Sequence, residues 1–144
     1  MAETQISFYV LSTAGMQERY RFACKLIETA YRKGSFCYVQ TDSPQQSHTI
    51  DELLWTYRQN SFIPHQIYQN ELPQFPNTVL IGHQPAPAQW QTTILNLANQ
   101  PPVDLSNTER LLEILDNDEQ IKAMGRERFR QYKRLGIEPI THHI

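Results

Sequence analysis

The sequence predicts an α/β fold, a single domain built on a mainly parallel sheet. Three observations carry this. The first half of the chain alternates apolar strand-like runs with helical segments in β-α-β-α order, and the crossovers between the runs are short and helical. A chain of 144 residues with 40% apolar content is enough for one sizeable core and too short for two ordinary ones.

Ile6 to Leu11 reads as the first buried strand. Gln17 to Arg32 is an amphipathic helix with Phe22, Leu26 and Ala30 on one side, ended by Gly34. Phe36 to Thr41 is a second apolar strand. Ser43-Pro44 then opens the helix Gln45 to Tyr57, with a cap and a proline in its first turn. Thr78 to Gly82, Thr93 to Ala98 and Arg110 to Leu115 follow as third, fourth and fifth strands. The segments Gln69 to Asn77 and Gln84 to Ala88, each with two prolines, read as loops, and Gln120 to Leu135 as the final helix. Internal repeats and low-complexity tracts are absent.

This Rossmann-like order raises the question of a nucleotide. The turn after the first strand reads STAGMQ, with one glycine and neither a GxGxxG fingerprint nor a GxxxxGK[ST] loop, so its backbone has no close approach to a pyrophosphate. A phosphate-binding loop is lacking. His48, His65, His83, His142 and His143 show no metal-ligand spacing, so no metal and no cofactor is expected. Asp116, Asp118 and Glu119 are accounted for as a helix cap and dipole complement. Nothing in these residues names an enzyme. Cys24 and Cys37 form no motif and read as reduced packing residues. The opening MAETQ is polar, ISFYVL is too short for a secretory apolar region, and no stretch approaches about 18 apolar residues, so cytoplasmic residence is expected.

Charge is the feature that the fold does not require. Lys122 to Arg134 hold six of the thirteen Lys and Arg residues against one acid, Glu127, a local +5 on a remainder of −7. On a helix, Lys122, Arg126, Arg130 and Lys133 fall within an arc of about 80°, while Ile121, Gly125, Tyr132 and Leu135 fall on another face, and Phe129 lies at the seam. A ring bordering cations suits a ligand with an acidic part and an apolar part. A solvated helix face or a dipole complement explains Lys133 and Arg134 but not Lys122 or Arg126. The segment LLWTYRQNSFIPH also holds Trp55, Tyr57 and Phe62 within eight residues, a density equally suited to an interface or to a core closed under a loop.

The SFYVL run near the N-terminus, LLWT…SFIPH in the middle and the C-terminal GRERFRQYKRLGI together resemble the chi subunit of bacterial DNA polymerase III holoenzyme, in order and over nearly the whole chain. The resemblance implies a single three-layer Rossmann-like domain over residues 1–144 and a non-catalytic accessory subunit of the clamp-loader assembly. It implies two partners, the psi subunit and the acidic C-terminal tail of single-stranded DNA-binding protein, with a repair helicase as a further candidate and DNA reached mainly indirectly. By motif, Lys122, Arg126, Phe129 and Arg130 match the positions that receive the tail, Leu115 an apolar position of the same pocket, and Lys133 would add to the attraction. Trp55 and Phe62 match positions that contact psi. Phe129 stands where the family has Tyr, and Arg130 where it has Lys. The EPITHHI segment is assigned no role. The alternative is a direct single-stranded nucleic-acid binder, with Phe129 and Tyr132 of the basic helix stacking on bases.

Overall fold

The structure, a computed structural model, describes residues 4–57, 63–75 and 77–144. In chain order the elements are β1 (Gln5–Val10), α1 (Met16–Arg32), β2 (Tyr38–Gln40), α2 (Pro44–Thr56), β3 (His65–Ile67), β4 (Val79–Gly82), a 3-10 turn (Ala88–Trp90), β5 (Thr93–Asn96), β6 (Arg110–Leu115), α3 (Glu119–Arg134) and β7 (Ile140–His143). The strands form one sheet in the order β3-β4-β2-β5-β6-β1-β7. Every pairing in it is parallel.

Strands covered on both faces are apolar at nearly every position, and side chains alternate between the faces. Val39, Val79, Ile81, Leu95, Leu112 and Ile114 point to one side, where Tyr20, Ala23, Cys24 and Ile27 of α1 and Ile50 and Leu54 of α2 cover them. Ile6, Phe8, Ile94, Leu111 and Leu115 point to the other and pack under Tyr132 of α3. Tyr38 and Leu80 continue that face beneath Trp90, whose indole N–H donates to the Thr78 carbonyl at 2.7 Å. Full burial of each large side chain contributes about 1.5–3 kcal/mol. The three-layer α/β architecture expected from the sequence is thus present, with α1 and α2 on one face and α3 on the other.

The helix termini follow local chemistry. The Ser43 hydroxyl accepts from the Gln46 amide, capping α2, and Pro44 occupies its first turn. α3 ends in a Schellman turn: Ile137 N–H bonds the Tyr132 carbonyl and Gly136 N–H the Lys133 carbonyl, with Gly136 at φ +86°. That turn corrects one expectation. Leu135, placed on the packed face by helical periodicity, is 66% exposed, because the helix stops at Arg134 and Ile137 takes the position against the core. In α1 the buried stripe runs through Tyr20, Ala23, Cys24, Ile27 and Ala30, so Phe22 and Leu26 flank the core half-buried.

The two edge strands are additions to the sequence reading. β3 is three half-buried residues after Pro64, and β7 is exposed at all four positions, so neither carries an apolar run. Among the described residues no helix is long and apolar enough to cross a membrane.

Candidate functional site

β6 carries the chain to Leu115, α3 returns it, and β7 lays it parallel to β1. Alternation puts Phe8 and Val10 on the α3 side of β1, and the register Phe8↔Thr141 sets Thr141 of β7 beside them. Between these strands and α3 lies a pocket of about 210 Å³. Its apolar wall is Phe8, Val10, Leu115 and Phe129, completed by Gly125 and Thr141, and Lys122 and Arg126 complete the lining. Gly125 makes it possible: a Cβ there would collide with the side chain of Leu115. Phe129 rests on Phe8 with ring centroids 5.4 Å apart and tilted by 52°.

The charges around this pocket are unequal. Lys122 Nζ lies 3.5 Å from Glu119, Arg130 lies 2.9 Å from Glu127, and Lys133 lies 3.8 Å from Glu138. Among the described residues Arg126 makes no ion pair, and its side chain is exposed. A cation beside an apolar hollow attracts an anion that carries an apolar group. Lys133 Nζ also stands 5.9 Å from the centre of the Phe129 ring.

Another cation of α3 serves differently. Arg128 is buried, and its Nε donates to Glu113 Oε2 at 3.0 Å while Nη1 donates to the Asn99 carbonyl at 3.1 Å. The same Glu113 oxygen accepts from Asn96 Nδ2 at 3.1 Å and from the Tyr132 hydroxyl at 2.5 Å. Burial, and then the adjacent Glu113 carboxylate, push the Tyr132 phenol well above its ordinary range. Tyr132 is wholly buried, so the expectation that it stacks on bases is corrected. Phe129, half-buried, is the aromatic of that pair with an open face.

The acidic cluster before α3 is divided in its work. Asp118 occupies the N-cap position without a side-chain bond, and Glu119 lies in the first turn, where it favours the helix dipole. Asp116 is instead buried. Its Oδ1 accepts from the Asp118 amide at 2.9 Å and its Oδ2 from the Gly15 amide at 3.3 Å, tying the turn before α1 to the turn before α3. A carboxylate therefore occupies the amide that a phosphate would seek at the start of α1.

At the opposite edge of the sheet, Trp55 of α2 is 57% exposed and stands edge-on to His65 of β3, ring centroids 4.8 Å apart. The His65 side chain is buried, with Nδ1 2.7 Å from the Ile63 carbonyl and Nε2 3.2 Å from the Asp51 carbonyl. Phe62 lies outside the described residues. Cys24 and Cys37 are free and buried, and burial pushes both thiols up to about 12.

Of the six residues singled out on and before the last helix, Leu115, Lys122, Arg126 and Phe129 meet at the pocket, while Arg130 and Lys133 lie outside its lining on the same helix. Phe8, Val10, Gly125 and Thr141 complete it and were not singled out. Alternation within SFYVL is the signal that pairs Phe8 with Val10.

A family model described as DNA polymerase III chi subunit, HolC, matches residues 3–139. The chain is similar to proteins named DNA polymerase III subunit chi. The one from Pseudomonas aeruginosa is 29% identical over 140 residues, covering 97% of this chain and 96% of the relative. The one from Haemophilus influenzae is 26% identical over 145 residues, covering 100% and 99%. The one from Escherichia coli is 22% identical over 136 residues, covering 91% and 92%. With a family match across almost its whole length, this chain belongs to the DNA polymerase III chi subunits, accessory subunits of DNA replication.

Proposed function

We propose that this chain is a non-catalytic connector acting in the cytoplasm, one domain over residues 1–144. It pairs with the psi subunit of the clamp-loader assembly through the surface around Trp55, and it binds the acidic C-terminal tail of single-stranded DNA-binding protein in the pocket under α3. The observation that carries the reading is the pairing of a ring-sized apolar hollow with Arg126, a cation that has no ion pair among the described residues. An apolar cavity of about 150 Å³ accepts a benzene ring, so a hollow of about 210 Å³ has room for a terminal Phe side chain. Its free carboxylate finds the Arg126 guanidinium, a planar donor pair suited to bidentate contact. Lys122, Arg130 and Lys133 attract the acidic residues upstream.

The geometry also suits a connector. The Trp55 surface and the pocket belong to opposite faces and opposite edges of the sheet, and six strand spacings place those edges about 29 Å apart. Two partners can then be held at once. A single tail contact is expected to be micromolar, about 8 kcal/mol. Several tails presented together raise the effective concentration, giving a link that is firm yet exchangeable. Titration of a labelled acidic peptide ending in Asp-Ile-Pro-Phe tests this: saturable binding that weakens as salt rises supports it, and affinity constant in salt contradicts the ionic component.

A further inference from the structure

The seventh strand lies beyond the residues that the family model matches, yet its Thr141 lines the pocket. Among the described residues its outer side is a free edge, because β7 ends the sheet. The Ile144 amide donates inward to the Val10 carbonyl at 2.9 Å. Backbone groups alternate along a strand, so Ile140 and His142 also face β1, while Thr141 and His143 turn their N–H and C=O groups outward. Their side chains stand on the pocket face, since the register pairs Phe8 with Thr141, whereas His142 on the other face stacks on Tyr9 at 4.9 Å. Edge strands are commonly blunted by a lysine, an internal proline or a bulge. Ile140–His143 carries none of these, and no acidic residue.

We propose that β7 is a strand-addition site: the backbone of an acidic peptide seated in the pocket pairs with the outward N–H and C=O groups of Thr141 and His143. The proposal rests on the pocket's reading as a receptor for such a peptide. Continuity supports it, because Thr141 contributes its side chain to the pocket and its backbone to the edge, so a chain leaving the pocket over Thr141 meets that edge directly. Charge supports it as well, because Lys122 and Arg126 lie across the same pocket and favour an acidic segment over other extended chains. Backbone pairing then supplies affinity that does not depend on the sequence upstream of the terminal residues, the hallmark of strand addition.

The test compares His143→Pro with His143→Ala. Proline removes the outward N–H at a position where an edge strand tolerates it and leaves the inward bonds in place, while alanine keeps the N–H. An acidic octapeptide ending in Pro-Phe is expected to bind His143→Pro roughly three- to tenfold more weakly than His143→Ala. A tripeptide ending in the same two residues, too short to reach His143, should bind both variants alike. Matched melting temperatures confirm that both are folded. Equal octapeptide affinity for the two folded variants would overturn the strand addition and leave the pocket reading standing. No peptide binding even by the wild type would overturn both. A dimer of the wild type that His143→Pro dissociates, with peptide binding unchanged, would assign the edge to a second copy of the chain and overturn the proposal.

Discussion

Arg128 Nε donates to Glu113 Oε2 across 3.0 Å, with both side chains buried between α3 and β6. Asn96 and Tyr132 share the same oxygen, so three donors converge on one acceptor. One cation of the basic helix is therefore a fastener. It fixes the rotation of α3 on the sheet, and that rotation decides that Lys122, Arg126 and Phe129 face the pocket. Removing one partner of a buried pair leaves an uncompensated charge. Glu113→Gln is expected to lower unfolding stability by about 3–5 kcal/mol, read as a lower urea midpoint. An unchanged midpoint would mean that the pair does not hold the helix.

Alkaline pH should weaken the fold. Burial raises the Cys24 and Cys37 thiols to about 12, and burial with the Glu113 carboxylate raises the Tyr132 phenol. In each case the fold disfavours the deprotonated form. The associated stability is full below the unfolded-state values, about 8.5 for a thiol and about 10 for a phenol, and is lost as pH rises from there toward the folded values. Denaturation between neutral pH and about pH 11 should show a plateau followed by a decline from about pH 9, and a shallower decline above about pH 10 for Tyr132→Phe. Equal wild-type stability at both ends of that range would contradict the burial of these groups.

Gly125→Ala separates the pocket from the fold. Alanine is the better helix former by about 1 kcal/mol, but its Cβ would displace the Leu115 side chain, which borders the pocket. Peptide affinity is expected to fall about tenfold, some 1.4 kcal/mol, with melting temperature nearly unchanged. Calorimetric titration beside a thermal scan reads both quantities, and full affinity in a folded variant would show that the hollow next to Leu115 is not used.

Trp55→Ala should act on one partner alone. A central aromatic of an interface commonly contributes 2 kcal/mol or more, about thirtyfold in affinity. With the sites at opposite sheet edges, the substitution is expected to weaken psi binding by that order and to leave peptide affinity unaltered. Surface-immobilised psi measures the first and peptide titration the second. A parallel loss of both would mean that the two surfaces are coupled.

Long elements with a clear period were legible in the sequence. The apolar runs of β1, β4 and β6, the Ser43-Pro44 cap and the three helices fall within one or two residues of their expected places. β3 and β7 were not, because an edge strand is specified by backbone pairing with its neighbour and HQI and ITHH carry no buried pattern. The same gap hid Thr141 from the pocket. Arg128 illustrates a different limit. On the sequence it is one charge among six, and its burial depends on Glu113, fifteen residues earlier on a strand that otherwise reads as apolar.

Fluorescence polarisation of a labelled acidic peptide ending in Asp-Ile-Pro-Phe, titrated with the wild type and with Arg126→Ala, tests the central claim most directly. Arg126 is exposed and outside every ion pair among the described residues, so its loss should leave the melting temperature unchanged. The account predicts saturable micromolar binding by the wild type and a loss of about tenfold to a hundredfold in the variant, the range of a hydrogen bond to a charged group. Equal affinity of the two proteins would contradict it.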